Sequence, residues 1–160
     1  MTIRTKIIVL FIFTLISSSL HADKLTRIAC VGDSITYGAG ITDRETNSSP
    51  AQLQTLLGNT YKVGNFGVSA RTLLKKGDKP YWNNKAYKKA LSFNPNIVII
   101  KLGTNDIKPN NWKHHAEFLG DLKALVNSFQ DLSSKPTVFL ATPVPVQKAR
   151  WGLTEDAIVN

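Results

Sequence analysis

Cysteine is almost missing from these 160 residues. Cys30 is the only thiol, so no disulfide can form within the chain, and its place in an apolar run predicts an inert buried side chain. Histidine is scarce as well: His21, His114 and His115 are the three present. Acidic residues are outnumbered, 11 against 20 Lys and Arg, which leaves a formal charge of +9. The uncharged, mainly apolar Ile7–Ile16 falls short of the ~20 residues that cross a bilayer. No His, Cys and carboxylate set has metal-ligand spacing. Gly38-Ala39-Gly40 lacks the third glycine of a dinucleotide fingerprint, and no Gly-Lys-Ser/Thr follows the first apolar run, so nucleotide binding is not indicated. Gly-x-Ser-x-Gly, the elbow of the α/β-hydrolases, is absent too.

What is present begins with a leader. Arg4 and Lys6 precede Ile7–Ile16, and small and polar residues run from Ser17 to Ala22, the pattern of a secretory signal peptide cleaved near Ala22. Residues 1–22 are therefore expected to be removed, and 23–160 to be one secreted or periplasmic domain with no stable membrane anchor. Loss of Arg4 and Lys6 would lower the charge from +9 to +7. Much of that excess lies between Lys62 and Lys89. Such a run reads first as a solvated face; as a binding patch it would suit an anionic polysaccharide or membrane surface. No nucleic-acid motif accompanies it.

At 42% hydrophobic and 19% charged residues the composition is that of a globular domain. Ile28–Val31 reads as a buried strand, followed by a polar loop through Ser49. Ser49-Pro50 opens a helix with Leu53, Leu56 and Leu57 at helical spacing, stopped by Gly58-Asn59. Tyr61–Phe66 is a weaker strand, Arg71–Asn83 mostly loop, and Lys85–Ser92 a short helix. Ile97–Ile100 is the clearest strand, β-branched throughout. A long helix is expected from about Trp112 to Gln130, carrying Phe118, Leu122, Leu125, Val126 and Phe129 on one face. Thr137–Leu140 makes a fourth strand, and Thr154–Asn160 the first turns of another helix. Alternation of strand and helix predicts an α/β three-layer sandwich, a parallel sheet with helices on both faces.

Three of the apolar runs end in polar punctuation: Gly32-Asp33-Ser34, Asn65-Phe66-Gly67 and Gly103-Thr104-Asn105-Asp106. Each could be a simple turn. In a parallel sheet, however, all three fall on the rim where ligands bind. Ester hydrolysis by serine needs a nucleophilic hydroxyl, a base, and donors aimed at the oxyanion. Ser34 offers the hydroxyl and its own N–H, Gly67 an N–H without a side chain in the way, and Asn105 an amide. Tyr37, Tyr81, Trp112 and Trp151 fall in or near the rim loops, where they could stack on sugar rings or pack ordinarily.

These blocks, Gly32–Thr36, Asn65–Ser69 and Gly103–Asp106, resemble the first three sequence blocks of the SGNH, or GDSL-type, esterases and lipases. The resemblance implies a flavodoxin-like sandwich with Ser34 as nucleophile and Ser34, Gly67 and Asn105 as the oxyanion hole. It implies no cofactor. Ala70 stands where many members carry a second glycine. Nothing in the chain matches the family's last block, Asp-x-x-His, so the catalytic His and Asp are expected outside it and the 160-residue chain is expected to be inactive alone; His114 and His115 are expected to be solvated. The resemblance points to an exported esterase removing acetyl or other short acyl groups from a carbohydrate, a small-molecule or polysaccharide ester. Two alternatives stand beside it: a lysophospholipase or thioesterase, or a non-catalytic carbohydrate-binding relic of the fold.

Overall fold

The computed structural model describes residues 25–143. The leader, Trp151 and the helix expected at Thr154–Asn160 lie outside the described residues. Strand β1 (Thr26–Gly32) and strand β3 (Ile97–Lys101) form the middle of a four-stranded sheet, with β2 (Tyr61–Gly67) and β4 (Thr137–Leu140) flanking them in the order β2-β1-β3-β4. All three pairings are parallel, and β1 meets β2 from Thr26↔Tyr61 to Gly32↔Gly67 and β3 from Ile28↔Ile97 to Gly32↔Lys101. Gly32, Gly67 and Lys101 therefore share one row at the carboxyl rim. The chain steps from β1 to β2 on one side and then returns to β3 on the other. That reversal opens a crevice between the ends of β1 and β3.

Alternation along the strands sends Ala29, Val31, Val98 and Ile100 to one face, where all four are buried. Helix α4 (Lys85–Ser92) and helix α6 (Phe118–Gln130) cover that face, the first with Ala90 and the second with Leu125 and Phe129, none of them exposed. Burying a side chain such as Leu125 or Phe129 contributes roughly 1.5–3 kcal/mol each. Helix α3 (Ser49–Leu57) lies on the opposite face beside Val63 and Asn65 of β2.

The strands fall where the sequence puts them, and the differences have tertiary causes. The polar loop after β1 contains two single helical turns, α1 (Ser34–Tyr37) and α2 (Arg44–Asn47). Helix α3 has Ser48 at its N-cap position, one residue earlier than expected and without a side-chain capping bond among the described residues, with Pro50 in its first turn. Leu56 does not join Leu53 and Leu57 against the sheet but stands 82% exposed. The helix expected from Trp112 is broken into α5 (Pro109–Trp112), a 3-10 turn (His115–Glu117) and α6. Asn111 explains the break: its side chain is buried, accepts the Asp78 N–H at 2.8 Å and donates to the Asn105 carbonyl at 2.8 Å. Those bonds pin α5 to the rim loops and fix its direction independently of α6.

Candidate active site

Strand β1 delivers the chain to the rim at Gly32, and Asp33 turns it. The Ile35 N–H donates to Asp33 Oδ1 at 2.9 Å, the capping bond that starts α1. The Tyr37 N–H returns to the Asp33 carbonyl at 2.9 Å and the Gly38 N–H to the Ser34 carbonyl at 3.0 Å, after which Gly38 ends the turn in the left-handed region at φ 88°. Ser34 is thus the first residue of a one-turn helix, half-buried, just beyond a central strand. Its N–H is one of the donors that a helix start leaves unbonded, and no acceptor among the described residues takes it.

Two glycines seat this turn on the sheet. A Cβ on Gly32 would run into the Thr36 side chain and stand 2.7 Å from the Lys101 carbonyl oxygen, and one on Gly67 would run into the Tyr37 nitrogen and stand 2.7 Å from the Thr36 carbonyl carbon and 2.8 Å from Tyr37 Cα. Neither position has room for a side chain. The Gly67 N–H donates to Asn65 Oδ1 at 3.0 Å, and the nitrogen of the same amide donates to the Tyr37 carbonyl at 3.3 Å. Asn65 therefore ties the end of β2 to the Ser34 turn and holds the Gly67 N–H.

Across the crevice Asn105 is 7% exposed, with Nδ2 donating to the Arg71 carbonyl at 3.1 Å. One N–H of its amide remains free of that bond. Asp106, fully buried, accepts the Leu73 N–H at 3.0 Å and the Leu74 N–H at 2.7 Å. Further along, Asp121 of α6 accepts the Lys75 N–H at 2.8 Å. The loop after Gly67 thus hangs from side chains of the segment that begins at Asn105. Burial pushes the Asp106 carboxyl up to about 6, against the pull of those two N–H bonds and with the Asp33 charge adding to the rise. Burial also raises Asp33, opposed by the Ile35 N–H, the Thr104 hydroxyl and the Lys101 charge, and Asp33 Oδ2 has no hydrogen-bond partner among the described residues.

The structure brings Ser34, Gly67 and Asn105 to one rim. It does not bring all the aromatic candidates there. Tyr81 is a core residue, wholly buried and donating its hydroxyl to the Phe66 carbonyl at 2.8 Å, because the 3-10 turn Tyr81–Asn83 folds inward instead of lining the rim. Tyr37 is exposed, but the Arg44 guanidinium lies 4.2 Å from its ring centroid. Trp112 stacks on His115 at 5.4 Å and, with Ile107, Phe118 and Leu122, lines an apolar cavity of about 540 Å³ between α6 and the end of β4. None of Ser34, Gly67 and Asn105 lines it. His115 is exposed with Nδ1 2.8 Å from the Trp112 carbonyl oxygen, and neither His114 nor His115 bonds Ser34. The lysines of the basic stretch are exposed; Lys76 pairs with Glu117 at 2.7 Å and Lys75 with Asp121 at 3.4 Å. The exposed Lys76–Glu117 pair contributes little, whereas Asp121 is buried. Among the described residues no three His, Cys, Asp or Glu side chains form a metal-ligand group, and no helix is long and apolar enough to cross a membrane.

Asn65, Asp106 and Asn111 were not singled out by sequence reasoning. Asp106 had a signal, since it closes the Gly-Thr-Asn-Asp block; Asn111 had none, being one amide in a polar helix start.

The model of the GDSL-like lipase/acylhydrolase family matches residues 30–159. The chain is 44% identical over 151 residues to an acetylxylan esterase of Xylanibacter ruminicola, a match covering 84% of this chain and 32% of that protein. Among solved structures it superposes on an aryl esterase of M. smegmatis with a TM-score of 0.54 at 26% identity, covering 75% of this chain and 65% of that one. A carbohydrate acetylesterase from Sinorhizobium meliloti gives 0.56 at 24% identity, with 75% and 65% covered, a likeness of fold. The chain spans about a third of the length of the curated relative it matches. With the family model covering most of the sequence and its three blocks set on one rim, the chain belongs to the GDSL-like lipase/acylhydrolase family.

Proposed function

We propose that the protein is a carboxylic ester hydrolase that removes acetyl groups from carbohydrate through an acyl-enzyme on Ser34. The observation that carries this reading is the placement of Ser34 at the head of a helical turn between Gly67 and Asn105, at the crevice where the strand order reverses. The Ser34 hydroxyl adds to the ester carbonyl as its proton passes to a base. The tetrahedral oxyanion is met by the Ser34 N–H, the Asn105 amide and the Gly67 N–H once Asn65 releases it. Collapse expels the sugar hydroxyl with a proton, and water then cleaves the acyl-enzyme to acetate.

The acetyl and carbohydrate parts of the proposal rest on the identity with an acetylxylan esterase. Export through the leader at residues 1–22 accords with a polysaccharide substrate. The test uses the full-length protein that the gene encodes, assayed on acetylated xylan and on p-nitrophenyl esters from acetyl to octanoyl. Turnover should fall steeply with chain length, because a small pocket cannot bury the longer acyl group. Ser34→Ala should abolish both hydrolysis and labelling by a fluorophosphonate. Undiminished turnover in Ser34→Ala refutes the nucleophile, and a preference for octanoyl refutes the acetyl substrate.

A further inference from the structure

We infer that Asp106 is a positioning residue which aims the Asn105 amide by fixing the carbonyl that Asn105 leans on; the inference rests on the reading of Asn105 as an oxyanion donor. Asn105 donates from Nδ2 to the Arg71 carbonyl at 3.1 Å, and that carbonyl belongs to a loop with no strand or α-helix of its own between Gly67 and Tyr81. Two and three residues beyond Arg71, the Leu73 and Leu74 N–H groups donate to the two oxygens of Asp106 at 3.0 and 2.7 Å. Consecutive residues of one turn thus grip the same short stretch, Asn105 through a carbonyl and Asp106 through two N–H groups. Beyond the half-buried Arg71 the stretch is closed off from solvent: Thr72, Leu73, Leu74 and Asp106 are at most 1% exposed. A carboxylate suits this place because only it offers an acceptor to each N–H at once. An amide would turn its own N–H₂ against one of them.

The consequence is kinetic. With the loop released, the Arg71 carbonyl no longer defines where Asn105 Nδ2 points, and the loss falls on the transition state, so kcat drops while KM holds. The experiment is a double-mutant cycle in the full-length protein on p-nitrophenyl acetate. Asn105→Ala should lower kcat ~10²–10³-fold, the usual cost of one oxyanion donor. Asp106→Asn should lower kcat by at least about tenfold with KM unchanged, the toll of a misplaced group. In the Asn105→Ala background Asp106→Asn should change kcat by less than about twofold, the margin within which independent effects add. An undiminished kcat in Asn105→Ala refutes the donor reading itself. A full additional loss in the double variant leaves that reading standing and overturns this one. Should Asp106→Asn fail to fold, hydrogen exchange in the unaltered protein decides: the Asn105 side-chain amide should be protected together with the Leu73 and Leu74 N–H groups, and rapid exchange at Asn105 alone overturns the proposal.

Discussion

Replacing Gly67 by alanine tests whether the Ser34 turn rests on bare backbone. The new Cβ would stand 2.8 Å from Tyr37 Cα and 2.7 Å from the Thr36 carbonyl carbon, where ordinary contact begins at 3.4 Å. Turn α1 must therefore retreat by more than about 0.7 Å, the difference between 3.4 and 2.7 Å, because the Tyr37 nitrogen lies closer still, and none of these neighbours is a side chain that can rotate away. Overpacking of this kind costs about 1–3 kcal/mol, or roughly 2–12 °C in Tm at 2–4 °C per kcal/mol for a domain of this size. A nucleophile displaced by a good fraction of an ångström loses up to ~10²-fold in turnover. Thermal melting and acetyl-ester turnover of the full-length protein measure the two effects. Gly120→Ala is the internal control, because no atom of the described residues outside the helix's own backbone lies within 4 Å of a Cβ built there on the surface of α6; it should stabilise by up to about 1 kcal/mol through helix propensity and leave turnover alone. If Gly67→Ala melts and turns over like the parent, the turn is not seated as described.

Two further expectations concern buried groups. Burial pushes the Cys30 thiol up to about 11, so in the folded protein it should resist a disulfide reagent at pH 8 and react at once on unfolding; prompt reaction in the native state refutes the buried assignment. Asp106 titrates near 6 in the folded state against 3.8 as a free group, so the folded form binds its proton more tightly and the stability this group contributes is complete below 3.8 and lost as pH rises through 6. That is about 3 kcal/mol for two units, and the Tm of the unaltered protein should fall relative to Asp106→Asn between pH 4 and 7; parallel curves refute it.

The sequence was most legible where one property dominates a short stretch. Ile97–Ile100 is β-branched throughout and can hardly be anything but a strand, and each of the three site blocks sits where such a run stops. The residues that hold the site together were not legible, because their work is done at long range. Asn111 breaks a helix by bonding Asp78, 33 residues away; Asp106 reaches back 32 residues to Leu74. Local spacing carries no trace of either bond. Tyr81 misled for the reverse reason: a polar, loop-like neighbourhood in sequence folds inward and buries its aromatic ring. Leu56 fits the helical spacing of Leu53 and Leu57 but points to solvent.

Gly32 and Gly67 stand side by side in the register, and the Ser34 turn lies across both. The height of the hydroxyl above the sheet is therefore set by main chain meeting main chain at Gly67 and by the Thr36 side chain resting directly on the strand at Gly32, like a bearing with no bushing. Repacking Val31, Val98 or Leu125 would alter the interior of the sandwich without passing through any side chain that props up the nucleophile. Stability and reactivity can then be varied separately in this scaffold, as long as those two neighbouring positions stay empty.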